Sequence, residues 1–464
     1  MKRMELVFIP WSGITHFSST LQFAHLLLRR DHRLSATFLL IPSPWDPIPA
    51  AHLQSHHHSR IRYLTLPKHP ISPDLDITTL FKSLIETQKQ NVRDAIAKLP
   101  DSPIIAGFVI DMFCTPMIDV ANQFGVPSYV FFTASAGYLC FTSHLQELYD
   151  QHNKQSHQFL RRDFQFAVPG FTHPVSGKVI PSSYFTPNSE WIIHEGVRRL
   201  RESSGILINT FSELESKIID SFSSSSQFPP VYAVGPILNL KPNNSDESSE
   251  RSEILRWLDQ QPFESVVFLC FGDWGSFNQE QVKEIAIGLE QSGYRFVWSL
   301  RQPSSPKGEF QDPDYIKEVV PEGFLDRTAG IGRVIGWAPQ VEILGHPATG
   351  GFISHCGWNS ILESVWLGVA IGAWPMYAEQ ELNAVEMEVE LGLAVEIWSE
   401  TGDGVVGAEK IKSGIKELMG GDGEVRKMVK VKSEESRRSV MENGSSFTAL
   451  NRFVEYVIAN ANSL

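Results

Sequence analysis

Short apolar runs alternate with longer amphipathic stretches through the first half of the chain. The apolar runs lie at residues 6–10, 34–40, 104–110 and 128–132. Between them, apolar residues recur at helical spacing over residues 20–30 and 79–98. Strands that are apolar throughout, separated by helices, are typical of a parallel sheet with helices on both faces. The pattern therefore predicts an α/β domain.

A polar segment, LKPNNSDESSERSE at residues 240–253, follows this half. Its Pro, Asn, Ser and Glu content cannot supply a core, which predicts a linker. Strands and helices then alternate again from residue 265 to about residue 418, and a last helix is expected at about residues 447–460. The predicted fold class is α/β, with two similar domains and a cleft between them. We place the domains at residues 1–240 and 253–445, joined by a linker at 241–252.

Length, charge and cysteine usage narrow the class of protein. At 464 residues the chain is longer than a chain with one hydrophobic core usually is. Its formal charge of −13 argues against nucleic acid or an anionic membrane surface as a partner. Four cysteines without CxxC spacing are explained most simply by a reduced, cytosolic setting. The chain passes from MKRME directly into an apolar strand, and no apolar run has membrane-spanning length. We expect a monomeric cytoplasmic protein without a signal peptide.

The most informative stretch is GGFISHCGWNSILES, which predicts a buried strand at 351–354, a tight turn, and a helix that begins near Asn359. A strand that turns on glycine into a helix presents backbone N–H groups and the positive end of the helix dipole, which favours a phosphate. His355, at the turn, can add a donor. Asn359 and Glu363 share a helix face, where a carboxylate can accept from ribose hydroxyls. Trp337 supplies a flat apolar face for a base. The stretch predicts a nucleotide-diphosphate site.

A purely structural interpretation exists for the same residues. Ser360 and Glu363 match a capping box, which many helices carry without a ligand. Trp337 and Trp358 can belong to the core, and a single histidine at a turn is more often structural than functional. Taken one residue at a time, these alternatives stay open.

All 44 positions of WAPQVEILGHPATGGFISHCGWNSILESVWLGVAIGAWPMYAEQ, residues 337–380, resemble the signature box of the plant secondary-product glycosyltransferases in order and spacing. Further matches are IPWSGITH, VIDMFCTPMIDVANQFGVPSYVFFTASA, YAVGPIL and SVVFLCFG. The chain is identified as a member of the plant UDP-dependent glycosyltransferases of glycosyltransferase family 1. This resemblance implies the GT-B fold, with two Rossmann-like domains facing across a cleft. The first domain would bind the acceptor, the second the UDP-sugar, and the C-terminal helix at 446–464 would return to the first.

The resemblance also implies a role for each matching position. Trp337 would stack on uracil, and Gln340 and Glu363 would hold the ribose. His355, Asn359 and Ser360 would hold the diphosphate. The other implied donor-binding residues are Trp358, Glu379 and Gln380 toward the sugar, Thr133 from the first domain helping there, Ser299 near the uracil, and Ala338 within the box. Relatives that use glucuronic acid carry arginine where this chain has Trp358, which favours a neutral hexose.

His16 and Asp111 each follow an apolar strand of the first domain, so both should emerge at the carboxyl edge of the sheet, where parallel sheets place ligands. Transfer to a hydroxyl needs a base, and a histidine oriented by a carboxylate has a pKa near neutral pH. From the residues alone, two unrelated polar side chains are the alternative. The resemblance implies that they are the catalytic base and its partner.

Three positions depart from the family pattern. Thr15 replaces the glycine that usually precedes the base, and Ala370 replaces a usual proline. Asp273, in FGDWGSF, stands where relatives have serine or threonine close to the diphosphate. A carboxylate at this place puts donor affinity in question.

We expect an inverting enzyme that moves glucose from UDP-glucose to a hydroxyl of a small apolar plant metabolite, giving a β-glucoside. The expected acceptor pocket is apolar and aromatic, which suits a flavonoid, another phenolic or a triterpenoid; its candidate residues are Phe17, Met112, Phe113, Tyr138, Tyr184 and Phe185. Gln380 favours glucose over galactose, because a histidine there accompanies galactose use among the relatives. Alternatives are a transferase that uses UDP-galactose or UDP-xylose, a UDP-sugar-binding protein with little turnover, and a nicotinamide-dependent oxidoreductase. The chain has no G-x-G-x-x-G after the first strand, which argues against the oxidoreductase.

No cofactor and no metal are expected. The adjacent His56, His57 and His58 cannot all face one ion from a regular element. The Asp-x-Asp triplets at 74–76 and 312–314 lie beside proline in polar loops away from the nucleotide box.

Overall fold

A computed structural model describes residues 3–42, 48, 53, 58–69, 77–100, 103–152, 160–185, 196–223, 228–240, 249–303, 313–398, 404–421 and 423–462. The chain divides into two compact units. The first comprises Met1–Gly177, Pro181–Asn239 and Arg438–Leu464, and the second comprises Lys178–Ile180 and Leu240–Arg437. By this division, the chain passes to the second unit at Leu240 and returns to the first at Arg438.

The first unit is built on parallel strands that are apolar because both faces of their sheet are covered. Its strands are β1 (Met4–Ile9), β2 (Leu34–Leu40), β3 (Ile61–Thr65), β4 (Ile104–Asp111), β5 (Ser128–Phe132), β6 (Gln165–Phe166), β7 (Val175–Ser176), β8 (Gly205–Ile208) and β9 (Val231–Ala233). Seven of them form a sheet of order β3-β2-β1-β4-β5-β8-β9, while β6 and β7 pair as a small antiparallel ladder. The helices are α1 (Ile14–Arg30), α2 (Ile77–Ala97), α3 (Ile118–Gln123), α4 (Ala136–Gln151), α5 (Val197–Leu200) and α6 (Ser216–Ser223).

The second unit repeats the same architecture with six parallel strands. They are β10 (Val266–Cys270), β11 (Arg295–Ser299), β12 (Gly332–Ile335), β13 (Thr349–Ser354), β14 (Ala370–Ala373) and β15 (Ala394–Glu396), in the order β12-β11-β10-β13-β14-β15. The helices are α7 (Ser249–Leu258), α8 (Gln279–Ser292), α9 (Pro313–Val319), α10 (Phe324–Thr328), α11 (Gln340–Leu344), α12 (Trp358–Leu367), α13 (Gln380–Val385), α14 (Ala408–Met419) and α15 (Glu424–Val440). This order is that of the Rossmann fold.

The last helix, α16 (Ser445–Ala461), packs within the first unit. Its Phe453 meets Tyr129 edge to face, with ring centroids 4.9 Å apart, and also contacts Phe23 and Tyr232. Leu450, Val457 and their neighbours complete the apolar cluster. The periodic apolar face of the helix therefore becomes part of the first core.

Two sequence predictions need correction. Part of the predicted linker is helical, because α7 begins at Ser249. Ile254, Trp257 and Leu258 recur at helical spacing and are buried, so the polar residues before them form the first turn of the same helix. The acceptor candidate Phe17 is wrong as well. It is 0% exposed and packs on Phe38 and Tyr63 inside the first core, because it lies on the face of α1 that meets the sheet.

Each sheet reverses its strand order at one point, between β1 and β4 in the first unit and between β10 and β13 in the second. Ile9 pairs with Ile110 at the first point, and Cys270 pairs with Ser354 at the second. In open α/β sheets the crevice beyond the carboxyl ends of such strands is where ligands bind. In the part of the chain that the structure describes, no helix is both long and apolar enough to cross a membrane.

Candidate active site

His16 and Asp111 meet at the reversal point of the first sheet. Asp111 ends β4, and its side chain is fully buried, whereas the His16 side chain is 24% exposed. His16 Nδ1 donates to Asp111 Oδ2 at 2.8 Å. The other carboxylate oxygen, Oδ1, accepts from the backbone N–H of Phe113 at 3.0 Å, so both oxygens are fixed. The predicted base and its predicted partner are therefore brought together.

Thr133 follows β5 and joins the same group. Its Oγ1 lies 3.2 Å from His16 Nδ1 and donates to the sulfur of Met112 at 3.7 Å. Two oxygen acceptors thus surround Nδ1, which keeps the proton on that nitrogen and directs the lone pair of the neutral imidazole to Nε2. The resemblance implied a contact between Thr133 and the sugar; in this structure its hydroxyl is next to the base.

A partly open pocket lies beside this group within the first unit; its space, counted together with the solvent at its mouth, is about 450 Å³. It is lined by Met112, Phe113, Thr115, Phe132, Tyr138, Thr142, Tyr184, Gly196, Val197 and Leu200. The Phe113 ring lies 5.4 Å from the His16 ring, centroid to centroid, so the lining begins next to the base. Four of the predicted acceptor residues are in it. Phe185 is not, because its ring is 42% exposed and lies under the guanidinium of Arg162.

His355 occupies the reversal point of the second sheet, directly after β13. A Cβ at Gly272 would come within 2.7 Å of His355 Nε2, and one at Gly357 within 2.5 Å, so the imidazole is held between two glycines. Gly272 also has φ +72°, a conformation that favours glycine. Burial lowers the pKa of His355 to about 4, so the ring is neutral at physiological pH. Among the described residues, its Nδ1 has no hydrogen-bond partner.

Gln340 connects two residues of the helix that begins after this turn. Its Nε2 donates to Ser360 Oγ at 3.0 Å and to Glu363 Oε2 at 2.7 Å. Burial raises the pKa of Glu363 to about 7, although the Gln340 hydrogen bond opposes that shift. The helix α12 begins at Trp358, one residue before the prediction, and its N-cap Gly357 makes no side-chain cap. Ser360 and Glu363 are therefore linked through Gln340, and the capping-box interpretation is wrong.

The remaining donor candidates lie at the end of β11, in the loop after β12, and at the starts of α12 and α13. Ser299 Oγ donates to Gly336 O at 2.7 Å, which ties the end of β11 to the residue before Trp337. Gln380 Oε1 accepts from the backbone N–H groups of Met376 and Tyr377, both at 3.0 Å. Trp337, Asn359 and Glu379 are partly buried, whereas Ala338 and Trp358 are buried.

Asp273 comes directly after Gly272 and is partly buried. Burial raises the pKa of Tyr377 to about 12, against a hydrogen bond to Gln380 that lowers it, and the charges of Asp273 and Glu379 act in the same direction as burial. The Tyr377 ring lies 6.2 Å from the His355 ring, centroid to centroid. Asp273 therefore directly follows the glycine that packs on His355, the histidine that the sequence assigns to a diphosphate.

Comparison with known proteins shows the family of this chain. Residues 242–421 match the family model described as UDP-glucoronosyl and UDP-glucosyl transferase. UDP-glucose flavonoid 3-O-glucosyltransferase 6 of Fragaria ananassa is 47% identical over 477 residues, covering 98% of this chain and 99% of the relative. The chain belongs to this family.

Solved structures of plant UDP-glycosyltransferases have the same fold. A UGT transferase from Siraitia grosvenorii in complex with UDP is 61% identical to this chain. The comparison covers 98% of this chain and 100% of that one, with a TM-score of 0.88. UGT71G1 of Medicago truncatula, complexed with UDP-glucose, is 38% identical, with a TM-score of 0.88 over 98% of each chain. The protein is a UDP-glycosyltransferase with the GT-B fold, as the sequence predicted.

The sequence of this UDP-glycosyltransferase did not single out some residues that shape the His355 site and the pocket. Gly272 packs on His355 together with Gly357 of the predicted turn, and the signal for Gly272 was a glycine directly after an apolar strand. Val197 and Leu200 line the pocket, but a four-residue helix gives no periodic pattern. Among the metal candidates, Asp314 is an exposed residue of α9, and no cluster of three possible ligands occurs among the described residues. His56, His57, the 74–76 triplet and Asp312 lie outside the described residues.

Proposed function

We propose that this UDP-glycosyltransferase moves glucose from UDP-glucose to a hydroxyl of a small apolar plant metabolite and inverts the anomeric centre. The observation that carries the proposal is the 2.8 Å hydrogen bond from His16 Nδ1 to the buried Asp111 carboxylate. It leaves Nε2 as the basic nitrogen of a histidine that is still 24% exposed. This is the arrangement that a general base needs.

In the proposed reaction, His16 Nε2 takes the proton of the acceptor hydroxyl while the acceptor oxygen attacks the anomeric carbon. The bond between that carbon and the diphosphate oxygen breaks, and UDP leaves with the electron pair. Asp111 stabilises the imidazolium that forms, and Thr133 accepts from the same Nδ1–H. One direct displacement on UDP-α-glucose gives the β-glucoside.

The second unit would hold the donor. The Glu363 carboxylate accepts from the ribose hydroxyls, with Gln340 orienting it. The neutral His355 donates to the diphosphate, together with backbone N–H groups and the dipole at the start of α12. Trp337 provides the face for uracil, while Asn359, Ser360, Trp358 and Glu379 complete the donor set. No metal is required, because these groups supply the stabilisation of the leaving diphosphate.

Gln380 supports glucose as the sugar. Its carbonyl oxygen is used by two backbone N–H groups, so the amide nitrogen is the atom that would meet a sugar hydroxyl. A histidine at this place accompanies galactose use in the family. Wild type should therefore prefer UDP-glucose to UDP-galactose, and Gln380→His should shift the ratio toward galactose.

The pocket supports an aromatic or terpenoid acceptor, because most of its lining is apolar. The relative from Fragaria ananassa is named for a flavonoid acceptor. We infer that a flavonoid or another phenolic, or a triterpenoid, is the acceptor of this chain.

The test is a transfer assay with UDP-glucose, UDP-galactose and UDP-xylose against a panel of flavonols, simple phenols and triterpenoids. Product mass and NMR give the sugar, the linkage position and the anomeric configuration. We expect a β-glucoside. Binding of UDP-glucose without UDP release on any acceptor would support the alternative of a sugar-nucleotide-binding protein, and a strong preference for another UDP-sugar would overturn the donor assignment.

A further inference from the structure

Cys356 has a backbone conformation that residues other than glycine seldom adopt. It lies in the turn between β13 and α12, one residue after His355, and its φ is +62°. A Cβ makes this left-handed conformation unfavourable, so a residue that has one stays there only where its surroundings hold it. The turn that carries His355 therefore needs support from other residues.

Two buried side chains supply this support through the backbone of Cys356. Asn383 Nδ2 donates to Cys356 O at 3.0 Å. Ser354 Oγ accepts from the backbone N–H of Cys356 at 3.1 Å. All three residues are 0% exposed, so solvent does not compete for these bonds. Ser354 ends the strand before the turn, whereas Asn383 belongs to a separate element, the helix α13.

The same helix holds a second segment with a left-handed residue. Ala378, with φ +56°, lies two residues before α13 begins. Gln380, the first residue of α13, accepts from the backbone N–H groups of Met376 and Tyr377, both at 3.0 Å. Four residues other than glycine have a positive φ in the part of the chain that the structure describes. Two of the four therefore lie in segments that side-chain amides of α13 contact.

We propose that Asn383 is a positioning residue for the donor. By holding Cys356 in the left-handed conformation, it fixes the direction in which His355 and the first N–H groups of α12 point. Without the amide, the turn also populates conformations with a negative φ, in which these donors no longer meet at one anion. The affinity for UDP then falls in proportion to the fraction of protein that keeps the binding turn. The inference rests on the proposed function, which assigns the diphosphate to His355 and the start of α12.

The experiment measures UDP binding by calorimetry, together with the thermal unfolding midpoint of each variant. Asn383→Ala should weaken UDP binding roughly 5- to 30-fold, because the lost hydrogen bond and the left-handed strain that it opposes are similar in size. Gln281→Ala is the matched control. Gln281 is a buried amide of α8 that donates to Val406 O at 3.0 Å, so its loss also disturbs the second unit but should leave the UDP affinity unchanged.

The decisive readout is a rescue. Adding Cys356→Gly to Asn383→Ala should restore most of the UDP affinity, because glycine adopts a positive φ without a steric cost. A loss of affinity caused only by a looser core would not be reversed by removing a second buried side chain. Wild-type affinity in Asn383→Ala would overturn the proposal, and so would a double variant that binds UDP as weakly as the single one.

A second pair of variants leaves Asn383 in place and decides the question if Asn383→Ala does not fold. Cys356→Val and Cys356→Ala both remove the thiol, but only valine is β-branched and resists a positive φ. Cys356→Val should therefore bind UDP at least roughly fivefold more weakly than Cys356→Ala. Equal affinities of the two variants would overturn the proposal. Failure of the proposed function shows separately, as absence of UDP binding by wild type.

Discussion

The two sheets reverse at equivalent points, and a histidine lies at each, but the two histidines have opposite surroundings. His16 donates to a buried carboxylate and is still partly exposed. His355 is enclosed by two glycines, is held neutral by burial, and has an Nδ1 without a partner among the described residues. Equivalent positions in the two sheets therefore give a histidine different hydrogen bonding and a different environment.

The difference arises from the residues at the carboxyl end of each pair of strands. In the first unit a carboxylate ends β4 and can stabilise a positive imidazole, so a proton can be taken up there. In the second unit no carboxylate of the described residues bonds to the histidine at the turn, and the neutral ring has one N–H that can donate to an anion. Under the proposed function, the first site transfers a proton and the second holds a phosphate.

The largest expected effect is on turnover through the first site. His16→Ala should lower kcat on the order of 10²-fold or more, because general-base catalysis contributes about 10²–10⁴-fold. Steady-state rates at saturating donor and acceptor give this value. A kcat within a few-fold of wild type would remove His16 from the mechanism.

Asp111→Asn should cost the same or less, at least roughly tenfold in kcat, because it keeps the shape but removes the charge that stabilises the imidazolium. The amide can also favour the tautomer in which Nε2 carries the proton. The exposed Asp94→Asn is the matched control and should leave kcat unchanged. If Asp111→Asn is as fast as the Asp94→Asn control, Asp111 only supports the fold.

On the donor side, Trp337→Ala should weaken UDP binding roughly 5- to 150-fold, which corresponds to the 1–3 kcal/mol of a base–aromatic stack. Calorimetric titration with UDP measures it. Unchanged affinity would assign Trp337 to the core of the second unit.

The Glu363 carboxyl predicts a pH dependence of donor binding. Its pKa is raised to about 7 in the protein without donor, so it is mostly protonated at pH 6 and mostly ionised at pH 8. Ribose hydroxyls donate to the ionised form, so UDP-glucose affinity should rise by up to about tenfold from pH 6 to pH 8. The diphosphate of UDP-glucose does not titrate in this range. Glu363→Gln should give a flat profile, and a wild-type profile as flat as that of the variant would contradict the assignment.

The smallest expected effect is a gain. Asp273→Ser should lower the KM for UDP-glucose about fivefold, since a like charge at about 4 Å costs roughly 1 kcal/mol in water-like surroundings. Asp314→Asn, an exposed change elsewhere in the second unit, should have no effect. A KM that stays constant in Asp273→Ser would mean that its charge does not reach the diphosphate.

The sequence predicted the strands well where apolar runs are continuous, as at Leu34–Leu40 and Ser128–Phe132, because full burial needs no alternation. It predicted His16 and Asp111 through strand ends and resemblance. The sequence did not predict which way a side chain points or which distant segments meet. Phe17 follows His16 in sequence but points to the core, since successive helical residues face about 100° apart, and the Gln340 bridge joins segments that no local pattern connects.

In the proposed function, proton transfer at His16 in the first unit is separate from donor binding around His355 in the second unit. It is tested by measuring kcat and the Kd for UDP-glucose on the same preparations of His16→Ala and Trp337→Ala. We expect His16→Ala to lose kcat with an unchanged Kd, and Trp337→Ala to lose affinity while keeping most of its kcat at saturating donor. If His16→Ala loses donor affinity as strongly as Trp337→Ala does, the division of roles is contradicted.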